Sequence, residues 1–152
     1  MSQAYLKSPM GVLEIVADDK NILAVNFVKT SKQEKNNALT KQCVVQLKEY
    51  FAGRRKIFDL PIKLSGTVWQ QAVYLVLSKV PYASIISYAD LATMVANSGA
   101  ARAVGGAVNK NPLTIIIPCH RVLGSKGQLV GYAGGLWRKK RLLELEQAFD
   151  LS

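Results

Sequence analysis

Cys119 and His120 are the residues of this sequence whose types and spacing are best suited to chemistry. His120 is the only histidine among 152 residues, and it directly follows one of only two cysteines. The thiolate rather than the thiol is the reactive form of cysteine, and an adjacent imidazole can promote the loss of its proton. The pair lies in the motif Ile117-Pro118-Cys119-His120-Arg121-Val122, at the end of an apolar run.

Several other uses of a Cys-His pair are disfavoured. Cysteine proteases bring their Cys and His together from distant parts of the sequence, whereas here the only His is the next residue. One His and two Cys do not supply an ordinary four-ligand zinc site, so we expect no metal. No Gly-rich loop after a strand suggests a site for S-adenosylmethionine, and we expect no cofactor. Soft nucleophilic attack on carbon remains.

Glu146 is the candidate partner for the imidazole. Its spacing from Leu142, Leu143 and Phe149 puts it near the apolar face of a C-terminal helix. A carboxylate there is costly unless it is paired. Two interpretations stay open: a rim Glu that bends towards water, or a residue that orients His120 while the other ring nitrogen polarises Cys119.

The segment from Ala100 to Val108 is the second unusual feature. Gly105-Gly106 within a predicted helix costs roughly 1 kcal/mol per Gly relative to Ala. Close packing against a neighbouring element would explain these glycines. A smooth face that enters a DNA groove, with Arg102 as its one long charged side chain, would explain them equally well. Such a face has almost no base-reading groups.

The elements that must position these residues follow from periodicity and turn signals. Residues 4–7, 12–17 and 22–28 are predicted strands. Residues 39–51 have helical spacing, end at Gly53, and place Cys43 on a buried face. Beyond an extended connection at 58–64, capping boxes predict helices from Thr67 to about residue 79 and from Ser87 to about residue 96.

The remaining elements surround the Cys-His motif. A helix at about 100–110 follows the turn Asn97-Ser98-Gly99, which makes a helix-turn-helix candidate. Residues 113–117 are apolar and β-branched and predict a buried strand. Residues 125–127 read as a hairpin turn, residues 131–135 as a flexible loop, and residues 136–149 as the last helix.

Composition bounds the class of protein. Apolar content of 49% and charged content of 20% are typical of a globular protein, and no apolar stretch approaches the ~20 residues of a membrane helix. The sequence has no signal-peptide pattern, so we expect a cytoplasmic protein with free thiols and no membrane partner. The net charge of +10 favours a polyanionic partner.

Taken together, these segments resemble the O6-alkylguanine-DNA alkyltransferases (methylated-DNA–protein-cysteine methyltransferases). The resemblance covers roughly residues 64–147, and residues 1–62 are similar to the family's less distinctive N-terminal subdomain. Its carriers, in family-like order and spacing, are Ile85-Ile86-Ser87-Tyr88, Ala101-Arg102-Ala103-Val104-Gly105-Gly106-Ala107, Asn111-Pro112, Ile117-Pro118-Cys119-His120-Arg121-Val122, Gly131-Tyr132-Ala133-Gly134-Gly135-Leu136 and Leu142-Leu143-Glu144-Leu145-Glu146.

The resemblance implies an α+β fold in two parts. Residues 1–62 would form a small ribonuclease H-like β-sheet and helix subdomain. Residues 63–152 would form a mostly helical, winged-helix-like subdomain that binds DNA and carries the catalytic residues. The implied partner is double-stranded DNA containing O6-alkylguanine. The protein would act as a monomer and would flip the damaged base into a pocket.

The resemblance also implies a single-turnover reaction with assigned residues. Cys119 would accept the alkyl group, His120 would be the water-mediated base, and Glu146 would orient it. The other roles would be leaving-group stabilisation by Tyr88, support of the active-site turn by Asn111, DNA binding by Arg102, Ala101, Ala103 and Gly105, and pocket lining by Tyr132, Ala133, Gly134 and Lys139.

The sequence departs from the family pattern at a few packing and pocket positions, including Trp69, Tyr74, Ala83 and Ala133. Two alternatives to a repair enzyme stay open. A non-catalytic lesion binder of the alkyltransferase-like type would lack the cysteine that is present here. A helix-turn-helix regulator would read a specific sequence, which the near-absence of polar readers disfavours.

Overall fold

The computed structural model describes residues 1–147, so the predicted end of the last helix at Phe149 lies outside the described residues. The chain forms two compact units. The first comprises Met1–Leu64 and Pro112–Ile116, and the second comprises Ser65–Asn111 and the chain from Ile117 onwards. Strands and helices both contribute, which confirms the predicted α+β class.

The first unit is built on a three-stranded antiparallel sheet. Its strands are β1 (Ser2–Ser8), β2 (Gly11–Ala17) and β3 (Ile22–Val28), in that spatial order. Alternate residues such as Leu13 and Ile15 are fully buried, as the period of two in a half-buried strand requires. The Asp18 carboxylate accepts from the backbone N–H groups of Lys20 and Asn21 and closes the β2–β3 turn. All three predicted strands are confirmed.

Helix α1 (Ala38–Phe51) packs against this sheet. The Asn37 and Thr40 side chains each accept from the other residue's backbone N–H, so the helix begins with a reciprocal cap. Cys43, Leu47 and Tyr50 form its buried face. Burial raises the pKa of the Cys43 thiol to about 12, which keeps it protonated and unreactive. The predicted helix and the structural role of Cys43 are confirmed.

The predicted strand at 113–117 is wrong. Leu113 forms a parallel bridge to Val25, flanked by hydrogen bonds from Val25 N to Pro112 O and from Thr114 N to Val25 O, but residues 113–117 form no strand. Ile115 then adopts a left-handed φ of 74°, which ends the extended conformation. The run also crosses the boundary between the two units after Ile116. Its buried apolar residues therefore belong to two different units: Leu113 and Ile115 to the first, and Ile117 to the second.

The second unit begins with three helices that pack on one another: α2 (Val68–Leu77), α3 (Tyr88–Val95) and α4 (Ala101–Asn109). The Thr67–Gln70 capping box opens α2, as predicted. Ser87 caps α3 by accepting from Asp90 N. A short 3₁₀ helix, Ser98–Ala100, joins α3 to α4 and completes the helix-turn-helix.

The rest of the second unit delivers the Cys-His motif. The residues Cys119–Arg121 form a 3₁₀ helix that runs into β5 (Val122–Leu123). Strand β5 pairs in parallel with β4 (Ile86–Ser87), a short sheet that the sequence did not predict. Helix α5 (Leu136–Glu146) closes the described chain. Among residues 1–147, none of the helices has the length and apolar character needed to cross a membrane.

Candidate active site

Cys119 lies at the first position of the 3₁₀ helix and is 5% exposed. Burial raises the pKa of its thiol, because the charged thiolate loses solvation. A hydrogen bond from Asn111 and the positive charge of Lys139 oppose that rise. Ionisation of the thiol is therefore unfavourable unless neighbouring groups accept its proton or stabilise the thiolate charge.

Asn111 supports the turn that carries the cysteine. Its side chain is buried, and Nδ2 donates to the carbonyl of Ile117 at 2.8 Å. The Cys119 N–H also hydrogen-bonds to that carbonyl, at 2.8 Å. One amide side chain thus contacts both the backbone before the cysteine and the sulfur itself. The structure places Asn111 beside Cys119.

His120 and Glu146 meet in the interior. His120 Nε2 lies 2.7 Å from Glu146 Oε2, and both side chains are fully buried. An ionised carboxylate only accepts hydrogen bonds, so we assign the ring hydrogen to Nε2. The other nitrogen, Nδ1, has no hydrogen-bond partner among the described residues. It keeps a lone pair on the residue next to Cys119. Of the two interpretations of Glu146, the structure rules out the rim position.

Burial also sets the charge of the imidazole. It lowers the pKa of His120, and the charges of Arg121 and Lys139 lower it further, while Glu146 acts in the opposite direction. The ring is therefore neutral at neutral pH, which is the state in which Nδ1 can accept a proton.

Arg121 is the site residue that sequence reasoning missed. Its Nε and Nη2 atoms lie 2.9 and 3.0 Å from the two oxygens of Glu146, and Nη1 donates to Val80 O at 2.7 Å. The available signal was its position: a charged residue within a buried apolar motif requires a partner. The sequence did not identify that partner, which lies 25 residues away.

Lys139 and Tyr88 converge on the carbonyls of Val130 and Gly131. Lys139 Nζ donates to them at 2.8 and 3.0 Å, and the Tyr88 hydroxyl lies 3.1 and 3.4 Å from the same atoms. Burial lowers the pKa of Lys139 to about 8, and Cys119 partly opposes this. Gly131 has a φ of 65°, and a Cβ there would lie 3.2 Å from the Tyr88 hydroxyl, so glycine is needed for both reasons.

The loop residues Tyr132, Ala133 and Gly134 differ in exposure. The Tyr132 hydroxyl is buried, and burial together with the charge and hydrogen bonding of the nearby Cys119 thiol raises its pKa well above the usual range. It therefore lies close to the sulfur. Ala133 is exposed. The Gly134 carbonyl accepts from Arg138 Nη1 at 2.9 Å, which ties the loop to α5.

An open depression of about 320 Å³ lies on the surface of the second unit beside α4. It is lined by most of the residues predicted to bind DNA together with Tyr88 and the Gly131 loop: Tyr88, Ala101, Arg102, Gly105, Gly106, Asn109, Val130 and Gly131. Arg102 is exposed. Ala103 is exposed but does not line the depression, and its carbonyl accepts from the Trp69 indole at 3.2 Å.

The two glycines of α4 are not needed for packing within the described residues. A Cβ at Gly106 would meet nothing within 4 Å, and one at Gly105 would make an ordinary 3.8 Å contact with the Tyr88 ring. Alanine would fit at both positions and form a better helix. Close packing therefore does not explain them, which favours a face kept smooth for a ligand.

Chemically, this arrangement contains the groups that can activate a nucleophile. A buried thiol lies next to a neutral imidazole, and a carboxylate fixes that imidazole through its other nitrogen. Nucleophile, base and orienting group are the parts needed to form a covalent bond to sulfur.

Comparison with known proteins decides the family. A sequence profile described as "6-O-methylguanine DNA methyltransferase, DNA binding domain" matches residues 68–148, and the "ribonuclease-like domain" of the same proteins matches residues 1–64. The chain belongs to the 6-O-methylguanine DNA methyltransferase family. The recognition made from the Cys-His motif and its flanking segments is thereby confirmed.

Individual members of the 6-O-methylguanine DNA methyltransferase family are similar over nearly the whole chain. A methylated-DNA–protein-cysteine methyltransferase of Methanosarcina acetivorans is 39% identical, over 96% of this chain and 98% of its own length. The crystal structure of the O6-methylguanine methyltransferase of Mycobacterium tuberculosis gives a TM-score of 0.88 at 36% identity, covering 100% of this chain and 97% of that one. Mycobacterium tuberculosis OGT in complex with DNA gives 0.88 at 37% identity, covering 96% and 93%.

Proposed function

We propose that Cys119 is the alkyl acceptor of a DNA repair reaction in which the protein removes the methyl group from O6-methylguanine in duplex DNA. Methyl transfer from DNA to a cysteine is the activity of the family to which the chain belongs. The observation that carries the assignment is the fixed, neutral His120 next to the buried Cys119 thiol. Cys43, the other cysteine, has no such neighbour and stays protonated.

The reaction balances without a cofactor. The Cys119 sulfur bonds to the methyl carbon while the bond from that carbon to guanine O6 breaks, and the electron pair leaves with guanine. The thiol loses one proton and the departing guanine gains one, so the numbers of protons and charges are unchanged overall. The product is a stable thioether, so each molecule acts once.

The other residues have supporting roles in this proposal. His120 Nδ1 receives the thiol proton, directly or through water, and Glu146 holds the ring in the required tautomer. Tyr88, at the edge of the depression beside α4, stabilises the leaving guanine. Asn111 holds the turn before Cys119 in place. Tyr132, Ala133, Gly134 and Lys139 line or support the base pocket.

We further propose that DNA is bound by the α4 face. Ala101, Arg102 and Gly105 line the depression and Ala103 extends the exposed surface, while the small residues allow close approach to a minor groove. Arg102 fills the space in the base stack that the flipped nucleotide leaves. Residues 1–62 and 63–152 would act as the N-terminal and DNA-binding parts of a cytoplasmic monomer.

Mass spectrometry of the protein after reaction with one duplex containing O6-methylguanine tests this proposal. We expect one added methyl group on the peptide that bears Cys119, with guanine restored in the DNA. Cys119→Ala should abolish transfer and keep DNA binding, whereas Cys43→Ala is the matched control and should transfer normally. Transfer by the Cys119→Ala protein would show that the acceptor is wrongly assigned.

The same experiment separates the alternatives. Tight, preferential binding of the lesion without added mass would indicate a non-catalytic lesion binder. Absence of both added mass and lesion preference, with binding to one particular sequence, would indicate a helix-turn-helix regulator.

A further inference from the structure

We infer that Arg121 is a positioning residue for the transfer reaction, holding the Glu146 carboxylate in the one orientation that fixes His120 as a neutral base for Cys119. The inference rests on the proposed function and adds a residue to it. It starts from four hydrogen bonds, which together occupy both oxygens of the carboxylate.

Each oxygen of Glu146 accepts two of these four hydrogen bonds. Oε1 accepts from Arg121 Nε at 2.9 Å and from the Ala83 backbone N–H at 3.2 Å. Oε2 accepts from Arg121 Nη2 at 3.0 Å and from His120 Nε2 at 2.7 Å. A planar guanidinium that binds both oxygens of a carboxylate fixes its plane as well as its position. The carboxylate therefore cannot rotate away from the imidazole.

Arg121 is itself anchored. Nη1 donates to Val80 O at 2.7 Å, and the guanidinium carbon lies 5.8 Å from the centre of the Tyr82 ring. The side chain is 8% exposed. A lysine would preserve the charge, but it could not reproduce this fork of three N–H donors.

The charge of Arg121 matters as much as its shape. A buried His–Glu pair alone favours the imidazolium, which cannot accept a proton from the thiol. With Arg121 beside it, the carboxylate already has a cationic partner. The charged groups that act on the ring are Glu146 and Lys139 from α5 and Arg121 from its own 3₁₀ helix, and the Cys119 thiol belongs to the preceding residue. The phenols of Tyr82 and Tyr132 also interact electrostatically with Glu146. Loss of the Arg121 charge would leave Glu146 to stabilise protonated His120.

The test measures single-turnover methyl transfer by Arg121→Gln and Arg121→Lys over about pH 6 to about pH 9, a range that spans ordinary His and Cys pKa values. For Arg121→Gln we expect a loss of at least about tenfold at neutral pH, since one hydrogen bond between charged groups can contribute that much. The loss should shrink as pH rises, because a more basic His120 is again neutral at high pH. Arg121→Lys should lose less and keep a pH profile closer to that of the unmodified protein.

Nitrogen NMR gives a second readout that a purely structural role would not change. His120 is the only histidine, so its two ring signals need no assignment by mutation. In the unmodified protein we expect a neutral ring with hydrogen on Nε2, and in Arg121→Gln protonation should begin at higher pH. Leu47→Ala, a buried substitution in the first unit, controls for lost stability and should leave the ring signals unchanged.

Arg121→Gln with normal transfer, pH profile and ring signals would overturn the inference, and so would an imidazolium in the unmodified protein at neutral pH. If Arg121→Gln does not fold, the transfer rate of Arg121→Lys and the ring signals of the unmodified protein still test the positioning role of Arg121. Failure of the unmodified protein to transfer methyl would contradict the proposed function instead, while the ring signals would still test the role of Arg121.

Discussion

Burial is the dominant influence on the reactive residues. It raises the pKa of Cys119 and lowers the pKa of His120, so both groups are uncharged at neutral pH. In the proposed reaction, proton transfer from sulfur to Nδ1 would create an ion pair in the interior, with Glu146 beside the imidazolium and Lys139 beside the thiolate. On this proposal the thiol is protonated at rest and ionises when its neighbours accept the proton and stabilise the charge.

Glu146→Gln should slow methyl transfer by about 10- to 100-fold, since the imidazolium formed during transfer loses a buried charge partner. Arg121 would also face an amide in place of a carboxylate. Single-turnover kinetics at neutral pH measures the effect. Glu144→Gln, at an exposed position of the same helix, is the control and should transfer normally. Full activity of Glu146→Gln would remove the orienting role.

Lys139 should make stability depend on pH in a specific window. Its pKa in the folded state is lowered to about 8 from 10.5. The unfolded chain therefore binds more protons between these values, and the Lys139 contribution to stability rises with pH across that window. Below about pH 8 Lys139 is charged in both the folded and the unfolded chain, so the full cost of burying its charge is present.

Urea unfolding at intervals from neutral pH upwards measures the free energy of unfolding of the unmodified protein and of Lys139→Met, and the difference between them reports the Lys139 contribution. The free energy of unfolding should shift in favour of the unmodified protein as pH rises above about 8. Lys140→Met, at an exposed neighbouring position, is the control. If the difference in free energy of unfolding between the two proteins stays constant with pH, the pKa of Lys139 is not lowered by folding.

At the scale of elements, α4 combines poor helix-forming residues with an exposed surface. Val104, Ala107 and Val108 bury one side of the helix against the second unit. The glycines on the other side leave room that no described side chain fills. A helix that sacrifices stability on its exposed face is typical of a binding surface rather than of a packing one.

Gly106→Ala should therefore stabilise the protein and weaken its binding to DNA. We expect a gain of up to about 1 kcal/mol in the free energy of unfolding, from helix propensity. The added methyl group would hinder close approach of the α4 face to a groove. Thermal unfolding and duplex-binding titrations measure the two effects. Val45→Ala, at an exposed position in α1, should leave DNA binding unchanged. Higher stability with unaltered affinity would contradict the groove assignment.

At the scale of the whole molecule, positive charge is distributed along the entire chain. Residues 1–62 carry ten basic and six acidic residues, and residues 63–152 carry ten basic and four acidic. The excess is thus larger in the part that matches the DNA-binding domain of the family. Such a distribution favours binding to the phosphate backbone regardless of sequence.

The affinity for DNA should fall steeply with salt and depend little on sequence. Each neutralised phosphate contributes about −0.9 to the slope of log K against log salt for duplex DNA. Titrations with two unrelated unmodified duplexes should give similar slopes and similar affinities, and one O6-methylguanine should raise the affinity without changing the slope. A strong preference for one unmodified duplex would indicate a sequence-specific regulator.

The sequence by itself determined most of the local structure and the family. Strand alternation, the Thr67–Gln70 cap and the end of α1 just before Gly53 depend on hydrogen bonds and burial patterns between near neighbours, which spacing reveals. The family was recognised for a related reason, because its six short segments between Ile85 and Glu146 have an order and spacing that can be read along the sequence.

Only the tertiary structure decided which distant groups meet. Arg121 and Glu146 lie 25 residues apart, and no periodicity connects them. Apolar character alone predicted a strand at 113–117, yet those residues divide between two units and Ile115 turns the chain away. A buried charged side chain is paired with a residue distant in sequence, so its partner is known only once the chain is folded. Helix caps and hairpin strands pair residues that are close in sequence, so their partners can be predicted from spacing.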